Sequence, residues 1–119
     1  MVDEITSTEL QSRLDDEQIR IVDIRSPSGF QHGHIPESEN VPFPKLTGSV
    51  EELTDAERIV TVCPHGKSSI QAARLINSYE GIEDGTAVSL AEGLDGWDGP
   101  VATADGDDSG SDDGPSAPF

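Results

Sequence analysis

The 119-residue chain is poor in cysteine and in positive charge: it has one cysteine, and seven basic residues against 24 acidic ones. A single cysteine cannot form an internal disulfide. So few bases cannot build the cationic face that nucleic acid requires. No stretch approaches the ~20 apolar residues of a membrane span, and the start, "MVDEITSTEL", lacks the basic and then apolar layout of a signal peptide. We therefore expect a cytoplasmic protein with a reduced cysteine that binds neither nucleic acid nor membrane.

The acidic residues are unevenly spread along the chain. Residues 102–119 contain five aspartates, no Lys or Arg, and almost nothing apolar. Such a segment buries too little surface to offset its ordering entropy, so we predict an acidic disordered tail at 102–119. Residues 1–101 then form a single domain, a common size for one hydrophobic core.

The domain itself is also acidic, since removing the five tail aspartates leaves 19 acids against seven bases and changes the net charge from −17 to −12. Its only lysines are Lys45 and Lys67. This composition is typical of proteins from salt-loving archaea, where molar salt shortens the Debye length to roughly 3 Å and screens self-repulsion. An ordinary acidic cytosolic protein is the alternative interpretation.

Predicted strands and helices alternate along the domain. Apolar β-branched runs predict strands at 19–25, 58–63 and 86–90, with a short edge segment at 40–43. Helical spacing and capping residues predict helices at 6–14, 26–30, 49–55 and 68–80. The strands are apolar on both faces, which predicts an α/β fold with a central parallel sheet and helices on both faces.

The stretch "IVTVCPHGKSS", residues 59–69, places the lone thiol of Cys63 where a strand ends and a helix begins. Parallel sheets bind ligands at this edge. Gly66 permits the loop to curl, so that its N–H groups and the helix start near Ser69 point at the sulfur. Lys67 adds a positive charge. These features favour the reactive thiolate over the thiol.

Three other interpretations of Cys63 are open from the residues alone. It could be a small buried residue with no chemistry. Cysteine phosphatases carry an arginine six positions after the nucleophile, where this chain has Ser69. A metal site with His32, His34 or His65 would need a further ligand that the pattern does not supply.

Four segments in order carry a family resemblance: "IVDIR" (21–25), "FQHGHIPESENVPF" (30–43), "CPHGKSS" (63–69) and "EGLDGW" (92–97). Together they resemble the rhodanese-like sulfurtransferases, and most of all the short single-domain thiosulfate sulfurtransferases. The resemblance spans residues 5–101. It implies the rhodanese-like three-layer fold, with a parallel sheet between two helical layers.

The resemblance also implies a mechanism and residue roles. Cys63 would carry a sulfur atom as a persulfide between a small sulfur donor and a thiol or protein acceptor, with no cofactor and no metal. The backbone N–H groups of the following loop would cradle this persulfide, at His65, Gly66, Lys67, Ser68 and Ser69. Asp23 and Arg25 would support the loop without reacting. Two other functions stay open: a phosphatase or arsenate reductase, and a non-catalytic docking module.

Overall fold

The computed structural model describes residues 2–16 and 18–103. Its strands are β1 (Glu4–Ile5), β2 (Ile19–Asp23), β3 (Glu39–Asn40), β4 (Arg58–Val62) and β5 (Ala87–Leu90). Its α-helices are α1 (Ser7–Gln11), α2 (Pro27–His32), α3 (Phe43–Ser49) and α4 (Ser68–Asn77). Two 3₁₀ turns occupy Val50–Leu53 and Leu94–Gly96.

The five strands form one sheet in the order β1-β5-β4-β2-β3, and every neighbouring pair is parallel. β4 lies at the centre, paired with β2 on one side and β5 on the other. All but the first of its residues are buried, which is why its sequence is apolar on both faces. Cys63 follows the last residue of this central strand, at the carboxyl edge of the sheet.

A hydrophobic core lies on each face of the sheet. Helices α3 and α4 cover one face, with Leu46, Ala73 and Ile76 among the buried residues. Leu10 of α1 and Trp97 pack on the other. The predicted α/β architecture, with a parallel sheet between helices, is therefore confirmed.

Several element boundaries differ from the sequence expectations. The edge strand is Glu39–Asn40 and not 40–43, because Pro42 leaves the ladder and begins the approach to α3. The helix predicted at 49–55 is a 3₁₀ turn, and α3 precedes it. Helical periodicity does not predict α3, because the segment contains prolines and Gly48. β1 was missed because two residues carry no periodicity.

The helix starts follow the local sequence. The Thr6 hydroxyl accepts from the Glu9 N–H at 3.1 Å and caps α1, as the spacing predicts. Ser26 caps α2 in the same way, with Pro27 in the first turn. None of the helices in residues 2–16 and 18–103 has the length and apolar character of a membrane-spanning segment.

The predicted tail, 102–119, lies outside the described residues apart from Ala102 and Thr103. Ala102 forms an isolated antiparallel bridge with His34, in which each backbone N–H donates to the other residue's carbonyl at 2.9 and 2.8 Å.

The turn after β5 is fitted directly against the loop after β4. The Leu94 N–H donates to the Cys63 carbonyl at 2.8 Å, and the Asp95 N–H donates to the Pro64 carbonyl at 2.9 Å. Gly93 sits at their contact with φ of +64°, and a Cβ there would overlap the backbone of the cysteine loop, at the Cys63 carbonyl oxygen and 2.5 Å from the Gly66 nitrogen. Only glycine allows this approach.

Replacing Gly93 with alanine should therefore lower the free energy of unfolding by about 3 kcal/mol or more. About 1–2 kcal/mol comes from the left-handed backbone, and the remainder from the overlap with the loop. Gly85→Ala is the matched control, because Gly85 has φ of +93° but nothing within 4 Å of a Cβ. Urea titrations followed by Trp97 fluorescence would compare the two, and equal losses would contradict the role assigned to Gly93.

Candidate active site

Cys63 is 2% exposed, and its sulfur lies at the centre of the loop that links β4 to α4. The Gly66 N–H donates to the sulfur at 3.1 Å, and the Ser69 N–H, in the first turn of α4, donates at 3.3 Å. The loop can close around the sulfur because Gly66 adopts φ of +81°. The predicted curl of the loop around the thiol is present.

A chain of buried hydroxyl groups continues from the sulfur into the sheet. The Ser69 Oγ lies 3.3 Å from the Cys63 sulfur and 2.6 Å from the Ser89 Oγ on β5. Ser69 and Ser89 are both fully buried. The sequence resemblance implies only a backbone role for Ser69, and no sequence motif singles out Ser89. The available signal was a serine inside a strand that is otherwise apolar.

A second buried hydroxyl, that of Thr61 on β4, fixes the backbone of the same helix start. It donates to the Ser69 carbonyl at 2.7 Å and also lies 3.2 Å from the Val88 carbonyl. It therefore holds the first turn of α4 to both central strands without contacting the Ser69 hydroxyl or the sulfur.

These contacts set the ionisation of the thiol. Burial raises the pKa of Cys63, but the hydrogen bonds from the Ser69 side chain and from the Ser69 and Gly66 N–H groups, together with the His65 N–H of the same loop, outweigh it. The net result is a pKa below the ordinary value for a thiol. Hydrogen bonds to the charged form favour that form, and the thiolate is the nucleophilic species.

The remaining predicted loop residues lie at the surface of the protein. His65, Lys67 and Ser68 are exposed. The His65 Nδ1 lies 2.7 Å from a carboxylate oxygen of Asp95. Lys67 precedes the first residue of α4 and forms no ion pair with any described residue. Its charge is therefore available to an approaching anion.

Asp23 and Arg25 form a tight pair beside the loop. Arg25 donates to the buried Asp23 carboxylate through Nε at 2.9 Å and Nη2 at 2.7 Å. The Nη2 also donates to the Gly33 carbonyl at 2.6 Å. Asp23 is paired in register with Val62, the residue before Cys63. Among the described residues the Asp23 carboxylate accepts only from Arg25, and the one further hydrogen bond of the Arg25 side chain goes to Gly33 and not to the cysteine loop.

The other two histidines are engaged with helix α2. His34 is buried, stacks on Phe30 with ring centroids 3.7 Å apart, and its Nδ1 bonds to the Phe30 carbonyl at 2.7 Å. The His32 Nδ1 bonds to the Ser28 carbonyl at 2.8 Å. Across residues 2–16 and 18–103, no three His, Cys, Asp or Glu side chains gather to hold a metal ion.

The arrangement suits a buried thiolate that accepts hydrogen bonds and attacks a soft atom brought to the loop. Comparison with known proteins points the same way. The profile of the rhodanese-like domain matches residues 6–99. The thiosulfate sulfurtransferase GlpE of Pseudoalteromonas translucida is 36% identical over 85 residues, which are 71% of this chain and 78% of that protein. A sulfurtransferase of Allochromatium vinosum is 32% identical over 98 residues, 82% of this chain and 89% of that one.

A solved structure shares the fold. The crystal structure of a rhodanese-like domain protein from Staphylococcus aureus superposes with a TM-score of 0.73 at 23% identity, and the match covers 86% of this chain and 98% of that chain. The family profile, the sequence relatives and the superposed fold agree with the resemblance carried by the four sequence motifs. The chain belongs to the family of rhodanese-like domains.

Proposed function

We propose that this protein is a sulfurtransferase that carries a sulfur atom as a persulfide on Cys63. The observation that carries the proposal is the sulfur itself: it is buried at the end of the central strand and accepts hydrogen bonds from two backbone N–H groups and contacts one hydroxyl. Such an environment stabilises negative charge on sulfur. It therefore serves both the attacking thiolate and the anionic persulfide that follows.

In the first half-reaction, the Cys63 thiolate attacks the outer sulfur of a donor such as thiosulfate. A new sulfur–sulfur bond forms to Cys63, the donor's own sulfur–sulfur bond breaks, and sulfite leaves with the bonding electron pair. No general base is required, because the hydrogen bonds already lower the pKa of the thiol below its ordinary value.

In the second half-reaction, a nucleophilic acceptor attacks the outer sulfur of the Cys63 persulfide. The bond to Cys63 breaks, its electrons return to the cysteine as thiolate, and the acceptor leaves with the sulfur. A thiol, free or on a protein, becomes a persulfide, whereas cyanide becomes thiocyanate. The cycle needs a reduced cysteine, which fits the cytoplasmic location proposed from the sequence.

The loop does not favour phosphoryl transfer. At the sixth position after Cys63, Ser69 is fully buried and turned toward the sulfur. The next arginine along the chain is Arg74, which is exposed on α4. A phosphate would therefore lack the forked guanidinium that balances its charge in cysteine phosphatases. The same holds for an arsenate bound in that way.

The direct test of the proposal is the intact mass of the reduced protein after incubation with thiosulfate. We expect a gain of the mass of one sulfur atom, which cyanide or dithiothreitol then removes. Cys63→Ser is the control, since it leaves no thiol in the chain. It should show no gain while keeping the circular dichroism spectrum of the wild type.

A gain of one sulfur atom in Cys63→Ser would show that the sulfur is attached at another residue, and would contradict the proposal. The absence of a gain with thiosulfate, with mercaptopyruvate and with polysulfide alike would reject persulfide transfer and favour the docking module.

The effect of Lys67 on the reaction rate should depend on the charge of the sulfur donor. Its ammonium is exposed beside the loop and is one of only two lysines in a chain of net charge −17. Lys67→Ala should lower the second-order rate of persulfide formation about 3- to 10-fold with dianionic thiosulfate, which corresponds to up to ~1.4 kcal/mol. With a donor that has no net charge, the same rate should fall less than about 2-fold, because exposed charges contribute little to the binding of a neutral molecule.

The matched control is Lys45→Ala, which removes the other lysine, exposed on α3 and outside the cysteine loop. It changes the net charge equally and should leave both rates near those of the wild type. Equal losses for the two donors in Lys67→Ala, or equal effects of the two substitutions, would exclude a local role for Lys67.

A further inference from the structure

The hydroxyl groups of Ser69 and Ser89 form a short hydrogen-bonded chain that ends on the Cys63 sulfur. The two oxygens are 2.6 Å apart, and the Ser69 oxygen is 3.3 Å from the sulfur. Each hydroxyl has a single hydrogen to donate. The direction in which the two hydrogens point therefore decides whether the chain stabilises a thiolate or accepts from a thiol.

Burial fixes the direction at Ser89. The residue is fully buried on β5, so bulk water does not reach its hydroxyl. Among the described residues, the one hydrogen-bond partner of the Ser89 Oγ is the Ser69 Oγ. A buried hydroxyl that donates nowhere costs about 1–3 kcal/mol. The Ser89 hydrogen therefore points to the Ser69 oxygen.

The direction at Ser69 follows from that at Ser89. The 2.6 Å contact between the hydroxyls holds one hydrogen, and Ser89 supplies it. The Ser69 hydrogen then has the Cys63 sulfur as its partner. With the thiol protonated, the sulfur donates to the Ser69 oxygen in this contact, and the Ser69 hydrogen then has no partner among the described residues. A hydrogen bond to an anion is roughly twice as strong as one between neutral groups, so this direction favours the thiolate.

We propose that Ser89 is a positioning residue for Cys63: its hydroxyl donates to the Ser69 Oγ and thereby holds the Ser69 hydroxyl as a donor to the thiolate. Ser89 does not contact the sulfur and acts through Ser69. This role of Ser89 rests on the proposed function, because sulfur transfer is the reaction that uses the thiolate. The ionisation of Cys63 can nevertheless be measured without any sulfur donor.

The test is the pH dependence of Cys63 alkylation by iodoacetamide in Ser89→Ala. The chain has a single cysteine, so the rate reports on one thiolate. Without Ser89, the Ser69 hydroxyl is free to turn and accept from the thiol. We expect the pKa of Cys63 to rise by about one unit, which is a tenfold smaller thiolate fraction at a pH below both midpoints.

Thr61→Val is the matched control. It removes a hydroxyl that is equally buried and is bonded to the Ser69 carbonyl, but not to the Ser69 hydroxyl. It should destabilise the fold in a urea titration. It should shift the pKa of Cys63 by less than about a third of a unit, whereas the loss of one hydrogen bond to the thiolate corresponds to about one unit.

A double-mutant cycle tests whether Ser89 acts through Ser69. Ser69→Ala removes the direct hydroxyl contact and should raise the pKa of Cys63 at least as much as Ser89→Ala does. The double variant should match Ser69→Ala alone, because the Ser89 hydroxyl then has no Ser69 hydroxyl to orient. The Ser69 N–H stays in place in every variant.

Three results would overturn the proposal: an unchanged or lowered pKa in Ser89→Ala, a shift of the same size in Thr61→Val, or additive shifts in the double variant. If Ser89→Ala does not fold, the pKa in Ser69→Ala decides, since an unchanged value there removes the hydroxyl chain from the ionisation of Cys63. If the variants show the expected shifts but the wild-type protein forms no persulfide, the proposed function is contradicted and the role of Ser89 stands.

Discussion

The hydrogen bonds to the Cys63 sulfur are the interaction on which the rest of the site depends. A buried thiolate is unfavourable unless donors replace the water it has lost. Here the donors come from the loop at Gly66 and from the first turn of α4 at Ser69. Ser69 is tied to the sheet at two further points, because the Thr61 hydroxyl donates to its carbonyl and the Ser89 Oγ lies 2.6 Å from its Oγ.

The second constraint is the close contact between the cysteine loop and the turn after β5. Backbone atoms of the two segments meet at Gly66 and Gly93, both with positive φ, and a Cβ on either would reach the other's backbone within 3.0 Å. The cysteine loop is therefore held by two segments, the first turn of α4 and the turn after β5. Contacts between glycines order no side chain, so they add no side-chain entropy cost to that of fixing the backbone.

Local donors and global charge act on different scales in this protein. The chain carries a net charge of −17, which opposes the approach of an anionic donor from a distance. At the sulfur, fixed N–H and hydroxyl dipoles act over about 3 Å, which is less than the Debye length of roughly 8 Å at physiological ionic strength. The reactivity of Cys63 is thus set by its immediate donors, whereas the acidic surface affects how often a donor arrives.

The parallel sheet, the order of its main elements, and the curl of the loop at Gly66 and Ser69 follow from local patterns: apolar β-branched strands, capping residues and a glycine three positions after Cys63. The contacts of Ser89 and Gly93 could not be predicted in the same way, because they join segments 20 or more residues apart in sequence. β1 and α3 were hidden for a local reason, since one is two residues long and the other contains proline and glycine. The most direct measurement is the pH midpoint of Cys63 alkylation in the folded protein beside that of the chain unfolded in urea. A lower midpoint in the folded protein is the predicted result, and an equal or higher one would contradict the claim that the fold holds Cys63 ready as a thiolate.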